Sequence, residues 1–128
     1  MQRTPGIMMR VLVVEDDPSV RHMVDRLLTG RGYFVLTAPS AELADALLLD
    51  YGAMPDLAIL DLGLPGIAGS EYGDRLAHRF PNIRLIFMTG WTERLAKPEF
   101  RRGTLLTKPF ASGTLLELVS GLATAQES

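Results

Sequence analysis

The chain has 128 residues, room for one domain of common size, and its 47% hydrophobic and 22% charged content is that of an ordinary globular protein. A net charge of -2 without a long block of Lys or Arg argues against direct nucleic-acid binding, and the absence of cysteine excludes a disulfide framework and thiolate chemistry. With no apolar leader and no run of about 18 apolar residues, the chain is expected neither to span a membrane nor to be exported, and a cytoplasmic location is expected.

Residues 1–8 read as a short lead-in without function, Met8 and Met9 directly preceding the first strand pattern. The run Val11-Leu12-Val13-Val14 predicts a buried strand that stops at three acids, Glu15, Asp16 and Asp17. Pro18 suits the first helical position with Asp17 as cap, and Val20, Val24, Leu27 and Leu28 recur on one helical face until Gly30. Residues 33–37 predict a second strand, after which Ser40 caps a helix with Leu43, Ala46, Leu47 and Asp50 at helical spacing. A third buried strand over residues 57–60 ends at Asp61, before the turn-rich stretch Gly63 to Gly69 and a helix carrying Tyr72 and Leu76.

Residues 83–88 predict a fourth strand ending at Thr89-Gly90, and residues 104–107 a short fifth ending at Lys108-Pro109. Between them, from Trp91 to Gly103, Pro98 and sparse apolar residues predict a short or mobile element instead of a regular fourth helix. Leu115, Leu118, Val119 and Leu122 mark a closing helix with Ser112 as its cap, and residues 125–128 form a tail.

Strands buried on both faces and alternating with helices call for an α/β fold: a (βα)5 doubly wound parallel sheet in the flavodoxin-like order 2-1-3-4-5. Ligands of such sheets bind beyond the carboxyl ends of the strands, where strands 1 and 3 are neighbours. Taken singly, the polar residues there have ordinary readings: Asp17 is a helix cap, Asp61 a turn former, Thr89 a strand-end hydroxyl and Lys108 a solvated cation.

Together they carry more, because the topology brings Glu15, Asp16, Asp61, Thr89 and Lys108 to one edge. Clustered carboxylates resist ionising together, so the group calls for a cation. An all-oxygen donor set, with no cysteine and no nearby histidine, suits Mg2+ and argues against zinc. With Mg2+ present Asp61 becomes a candidate phosphoryl acceptor, the charge on the phosphoryl oxygens being divided among Mg2+, the Lys108 ammonium and the Thr89 hydroxyl.

Four stretches occur in order: Val11-Leu12-Val13-Val14-Glu15-Asp16-Asp17-Pro18 with Arg21; Asp61-Leu62-Gly63-Leu64-Pro65-Gly66 with Gly69; Phe87-Met88-Thr89-Gly90; and Thr107-Lys108-Pro109-Phe110. Over residues 9–124 the sequence thereby resembles the receiver domains of two-component response regulators. The resemblance implies that Asp61 is the phosphorylated residue, that Asp16, Asp61 and the Gly63 main-chain carbonyl ligate Mg2+, and that Glu15 acts through water. It implies contacts from Thr89 and Lys108 to the phosphoryl group and a cis bond between Lys108 and Pro109. It also implies a histidine kinase or histidine phosphotransfer protein as donor, a downstream protein target, and a self-catalysed switch with slow autodephosphorylation in place of a metabolic enzyme.

The sequence departs from the usual pattern at Leu105, where the family commonly has a switch aromatic. Phe87-Met88-Thr89-Gly90-Trp91 resembles a subclass, nicknamed for a Phe-Ala-Thr-Gly-Tyr type motif, that also lacks this ring. Signalling is then expected to order a segment near residues 91–103, with Trp91 as a built-in reporter. His22 and His78 are assigned no phosphoryl role because the βα alternation excludes a helical bundle, and Tyr33, Phe34, Phe80 and Phe110 are assigned to packing. Three alternatives stay open: a hydrolase of the haloacid-dehalogenase type, whose Asp-x-Asp is not matched by Glu15-Asp16-Asp17; a pseudo-receiver acting only as an interaction module; and the receiver portion of a hybrid histidine kinase.

Overall fold

The computed structural model describes residues 9–52, 54–90 and 103–127. Among them, strands and helices alternate as β1 (Arg10–Val14), α1 (Pro18–Thr29), β2 (Phe34–Ala38), α2 (Ala41–Tyr51), β3 (Leu57–Asp61), α3 (Gly69–Arg79), β4 (Arg84–Thr89), β5 (Thr104–Thr107) and α4 (Ser112–Glu127). All strand pairs are parallel, in the order β2-β1-β3-β4-β5. The expected lead-in over residues 1–8, Trp91 and the short element expected from it lie outside the described residues.

Side-chain alternation along each strand divides the core in two. Leu12, Val14, Ala58, Leu60, Leu85 and Phe87 face the layer that holds α2 and α3. Val11, Val13, Leu57, Ile59, Ile86 and Met88 face α1 and α4, through Val24, Leu28, Leu115 and Val119. Because both faces are covered, the central strands are apolar at every inner position, and each fully buried Leu or Ile stabilises the fold by roughly 1.5–3 kcal/mol.

The caps follow the sequence at two helices. Asp17 accepts a hydrogen bond from the Ser19 amide at 2.9 Å, and Ser40 accepts one from the Leu43 amide at 3.2 Å. The closing helix differs, since Ser112 is already its first residue and the preceding Ala111 carbonyl accepts from the Thr114 and Leu115 amides. Its backbone also runs on to Glu127, through most of the stretch expected as a tail.

The second helix turns a different face inward from the one its spacing suggested. Ala41, Ala44 and Leu48 are buried, whereas Leu43 is 53% exposed and Ala46 and Asp50 also face solvent. The reason is that α2 is apolar almost all round, so periodicity cannot select a face; the small Ala41 and Ala44 let the helix approach the sheet closely.

Candidate functional site

Every residue assigned to the site from the sequence lies at the carboxyl end of the sheet. Asp61 closes β3 and Thr89 closes β4, while Glu15 follows β1 and Lys108 follows β5. The two neighbours that part there in opposite directions, β1 and β3, open the crevice between their loops.

Carboxylate oxygens of Glu15, Asp16 and Asp61 lie within 4.8 Å of one another, a group that can hold a metal ion. Glu15 is fully buried and Asp61 is 8% exposed, whereas Asp16 is open to solvent. Three acids at this spacing with no imidazole or thiol among them form a hard, oxygen-only donor set, the kind that suits Mg2+ or Ca2+. Lys108 enters from the far side of the sheet, its Nζ donating to Glu15 Oε1 at 2.6 Å and lying 3.4 Å from Asp61 Oδ2.

The electrostatics separate the two buried acids. Burial, followed by the hydrogen bond with Asp61, pushes the Glu15 carboxyl up to about 7, against the pull of Lys108 and the Asp17 amide. Burial also works to raise Asp61, yet the bond with Glu15, the Gly63 amide and the Lys108 charge hold it below its ordinary value. Of the pair, Glu15 is therefore the group that takes up a proton first as pH falls, while Asp61 keeps its charge. Burial alone would lower Lys108, but its bond to Glu15 and the charge of Asp61 carry it above its ordinary value, so it stays an ammonium.

Backbone contacts fix these groups. The Gly63 amide donates to Asp61 Oδ1 at 2.9 Å, and the Asp17 amide donates to Glu15 Oε2 at 3.1 Å. The Leu62 amide reaches the Met88 carbonyl at 3.0 Å and the Lys108 amide reaches the Thr89 carbonyl at 2.8 Å, which ties the ends of β3, β4 and β5 together. Thr89 is buried, and the Lys108–Pro109 bond is cis, as the resemblance implied.

Beneath Asp61 the first turn of α3 sits so close that a Cβ on Gly69 would lie 2.2 Å from the Asp61 carbonyl oxygen. Only glycine fits there. Leu105, at the position of the missing aromatic, is half-buried and packs against the cluster under α2 and α3. His22 and His78 are exposed on α1 and α3, away from the acids, and Phe34 is a rim residue stacked at a tilt against Tyr51.

Sequence reasoning missed two things. It gave Arg21 no task, although its Nη1 donates to the Glu15 main-chain carbonyl at 2.9 Å, and it did not foresee that Lys108 pairs first with Glu15. An Arg six residues past an acid at a strand end, one turn inside a capped helix, is the signal that was available for the first.

The sequence matches the family described as "Response regulator receiver domain" over residues 11–120. It is 36% identical over 112 residues to the transcriptional regulatory protein YrkP of Bacillus subtilis, covering 83% of this chain and 46% of that protein. It is 35% identical over 106 residues to the virulence transcriptional regulatory protein PhoP of Salmonella typhimurium, covering 80% of this chain and 46% of that one. The chain thus spans about half the length of these curated relatives. Among solved structures it is similar to the chemotaxis protein CheY4 of Vibrio cholerae, with a TM-score of 0.82 and 29% identity over 91% of this chain and 99% of that one. It is also similar to the response regulator TrrA of Thermotoga maritima in complex with Mg2+ and BeF, with a TM-score of 0.79 and 29% identity over 90% of this chain and 99% of that one.

Proposed function

This chain belongs to the response-regulator receiver family, and we propose that it works as a phosphoryl-accepting switch in which the Asp61 carboxylate takes the phosphoryl group from the phospho-histidine of a histidine kinase or histidine phosphotransfer protein. The observation that carries this reading is the setting of Asp61: a carboxylate, 8% exposed, backed by a backbone amide and facing the Lys108 ammonium at 3.4 Å. In the transfer an Asp61 oxygen forms the new bond to phosphorus as the bond from the histidine nitrogen breaks, and the product is an acyl phosphate.

Asp16, Asp61 and the Gly63 carbonyl would hold Mg2+ directly, with Glu15 bound to it through water; when bound, the ion neutralises the acids and the charge on the phosphoryl oxygens. The chain's own groups complete the site. Lys108, bonded to Glu15, would pass to a phosphoryl oxygen, and Thr89, the last residue of β4, would offer its hydroxyl to the same group. The complex of TrrA with Mg2+ and BeF supports the same reading by similarity.

Residues 9–124 form the receiver unit in this proposal, and its output is a protein target reached after phosphorylation. Both relatives named above are transcriptional regulators and extend well beyond the matched region, so the charge argument against nucleic acid concerns these 128 residues alone. Among the described residues no helix is long and apolar enough to cross a membrane, and we place the switch in the cytoplasm.

The test is phosphorylation by acetyl phosphate with Mg2+, followed on intact protein by mass. One phosphoryl group is expected on the parent and none on Asp61→Asn, whose carboxamide is neither a nucleophile nor a full Mg2+ ligand. Label on the variant at the parent rate would move the acceptor elsewhere, and an unlabelled parent would leave the chain a pseudo-receiver.

A further inference from the structure

Between β1 and α1 the chain turns within three acidic residues, and the way that turn is pinned singles out one side chain. The Glu15 amide donates to the Ala38 carbonyl at 3.0 Å, continuing the pairing with β2. The Glu15 carbonyl accepts from Arg21 Nη1 at 2.9 Å, and Glu15 Oε2 accepts from the Asp17 amide at 3.1 Å. The Asp17 carbonyl accepts from the Arg21 amide at 2.9 Å and its carboxylate from the Ser19 amide at 2.9 Å. Arg21 supplies two of these five bonds, one from its backbone and one from its guanidinium. Asp16 lies in the middle of the pinned turn, its carboxylate brought near those of Glu15 and Asp61.

We infer that Arg21 is a positioning residue for the metal site: by holding the Glu15 main-chain carbonyl, it fixes the peptide unit that presents the Asp16 carboxylate to Glu15 and Asp61. The inference rests on the reading of those three acids as a divalent-cation site.

Two features support a positioning role over simple charge balance. Arg21 is half-buried at the start of α1, and its side-chain bond is to a carbonyl, although three carboxylates belong to the same turn. Of those carboxylates, Glu15 is bonded to Lys108 and Asp17 caps the helix. The arrangement leaves the Asp16 carboxylate on the open side of the cluster while its backbone is held from behind, which is how outer-shell contacts orient metal ligands.

The sign of the effect separates the two roles. If Arg21 acted only through its charge, removing a cation beside an acidic cluster would tighten metal binding. If it positions Asp16, removing it weakens binding, because the turn no longer holds the carboxylate in place.

Mn2+ is the probe, followed by electron paramagnetic resonance on the full chain, with melting of each metal-free variant recorded in parallel. Arg21→Met keeps the apolar stem and removes the donor, and it is expected to weaken Mn2+ binding about 10-fold. Arg21→Lys restores a cationic donor and is expected to recover to within about 3-fold of the parent. Asp16→Asn reports on the site itself. Arg21→Met binding Mn2+ as tightly as the parent or more tightly, while Asp16→Asn loses it, overturns the role of Arg21 and leaves the metal site standing. An equal loss in Arg21→Lys and Arg21→Met also overturns it. Equal Mn2+ binding by the parent and Asp16→Asn overturns the metal reading, and the Arg21 inference with it.

Discussion

The same substitution, glycine to alanine, is expected to have opposite effects at Gly69 and Gly121. At Gly69 the new methyl would lie 2.2 Å from the Asp61 carbonyl oxygen, 2.9 Å from its carbon and 3.0 Å from Leu62 Cα. All three are backbone atoms, so no rotamer change relieves the clash, and α3 must retreat by about 1 Å to restore an ordinary contact. Overpacking costs about 1–3 kcal/mol, and a clash with backbone puts this case near the upper end; alanine's higher helix propensity returns at most about 1 kcal/mol, so a net loss of about 2 kcal/mol is expected. For a domain of this size that is a fall in Tm of about 5–10 °C. At Gly121, in α4, an added methyl would meet no atom within 4 Å, and there alanine should stabilise by about 0.5–1 kcal/mol. Urea unfolding followed by circular dichroism reads both. A Gly69→Ala protein unfolding at the parent midpoint or above would mean that α3 is not pressed against Asp61, and the account of the site's floor would be wrong.

Mg2+ affinity should rise with pH as the Glu15 proton is lost: with that carboxyl near 7, titration calorimetry at pH 5.5 should find binding about 30-fold weaker than at pH 8, from the tenfold change per unit below the pKa, and Glu15→Gln should flatten the profile. The sign for stability runs the other way in the metal-free protein, since a folded-state value raised above 4.5 gives a contribution that is complete below 4.5 and is lost as pH rises through 7; a Glu15→Gln protein that keeps this slope would assign it elsewhere. Lys108→Ala should still bind Mg2+ yet fail to engage its target after phosphorylation, and a variant that responds normally would remove Lys108 from the site. Tyr72→Phe removes a 2.7 Å bond from a buried hydroxyl to Asp45, which keeps Arg79 at 2.8 Å, so urea unfolding should show a loss of about 1 kcal/mol with the phosphorylation rate unchanged.

The strands were legible because a parallel sheet covered on both faces demands uninterrupted apolar runs, and each run here stops at a polar residue that reaches the same end of the sheet. Asp17 and Ser40 were legible as caps because the side chain that bonds the first turn must be of that type. The inward face of α2 was not, since Leu43, Leu47 and Leu49 read as apolar as Leu48 and only packing against the sheet separates them. Among the site residues, the convergence of Glu15, Asp16, Asp61, Thr89 and Lys108 followed from topology, whereas the full burial of Glu15, its bond to Lys108 and the grip of Arg21 on a carbonyl depend on side-chain paths that spacing does not encode. The contact between Gly69 and Asp61 was hidden for a related reason: a glycine in a turn-rich stretch reads as backbone freedom, and here it marks lack of space.

Glu15 and Lys108 stand 93 positions apart, and the acids are all made before the ammonium that pairs with Glu15 exists. A growing chain that has left the ribosome as far as residue 90 already carries the segments that become β1 to β4, and with them Glu15, Asp16 and Asp61. Until β5 docks on the outer side of β4, their mutual repulsion is relieved only by protons or by divalent cations from solution. Arrival of Lys108 therefore finishes the sheet edge and brings one positive charge to the acids in the same step, so that a chain cut short before β5 is left to rely on protons or divalent cations alone.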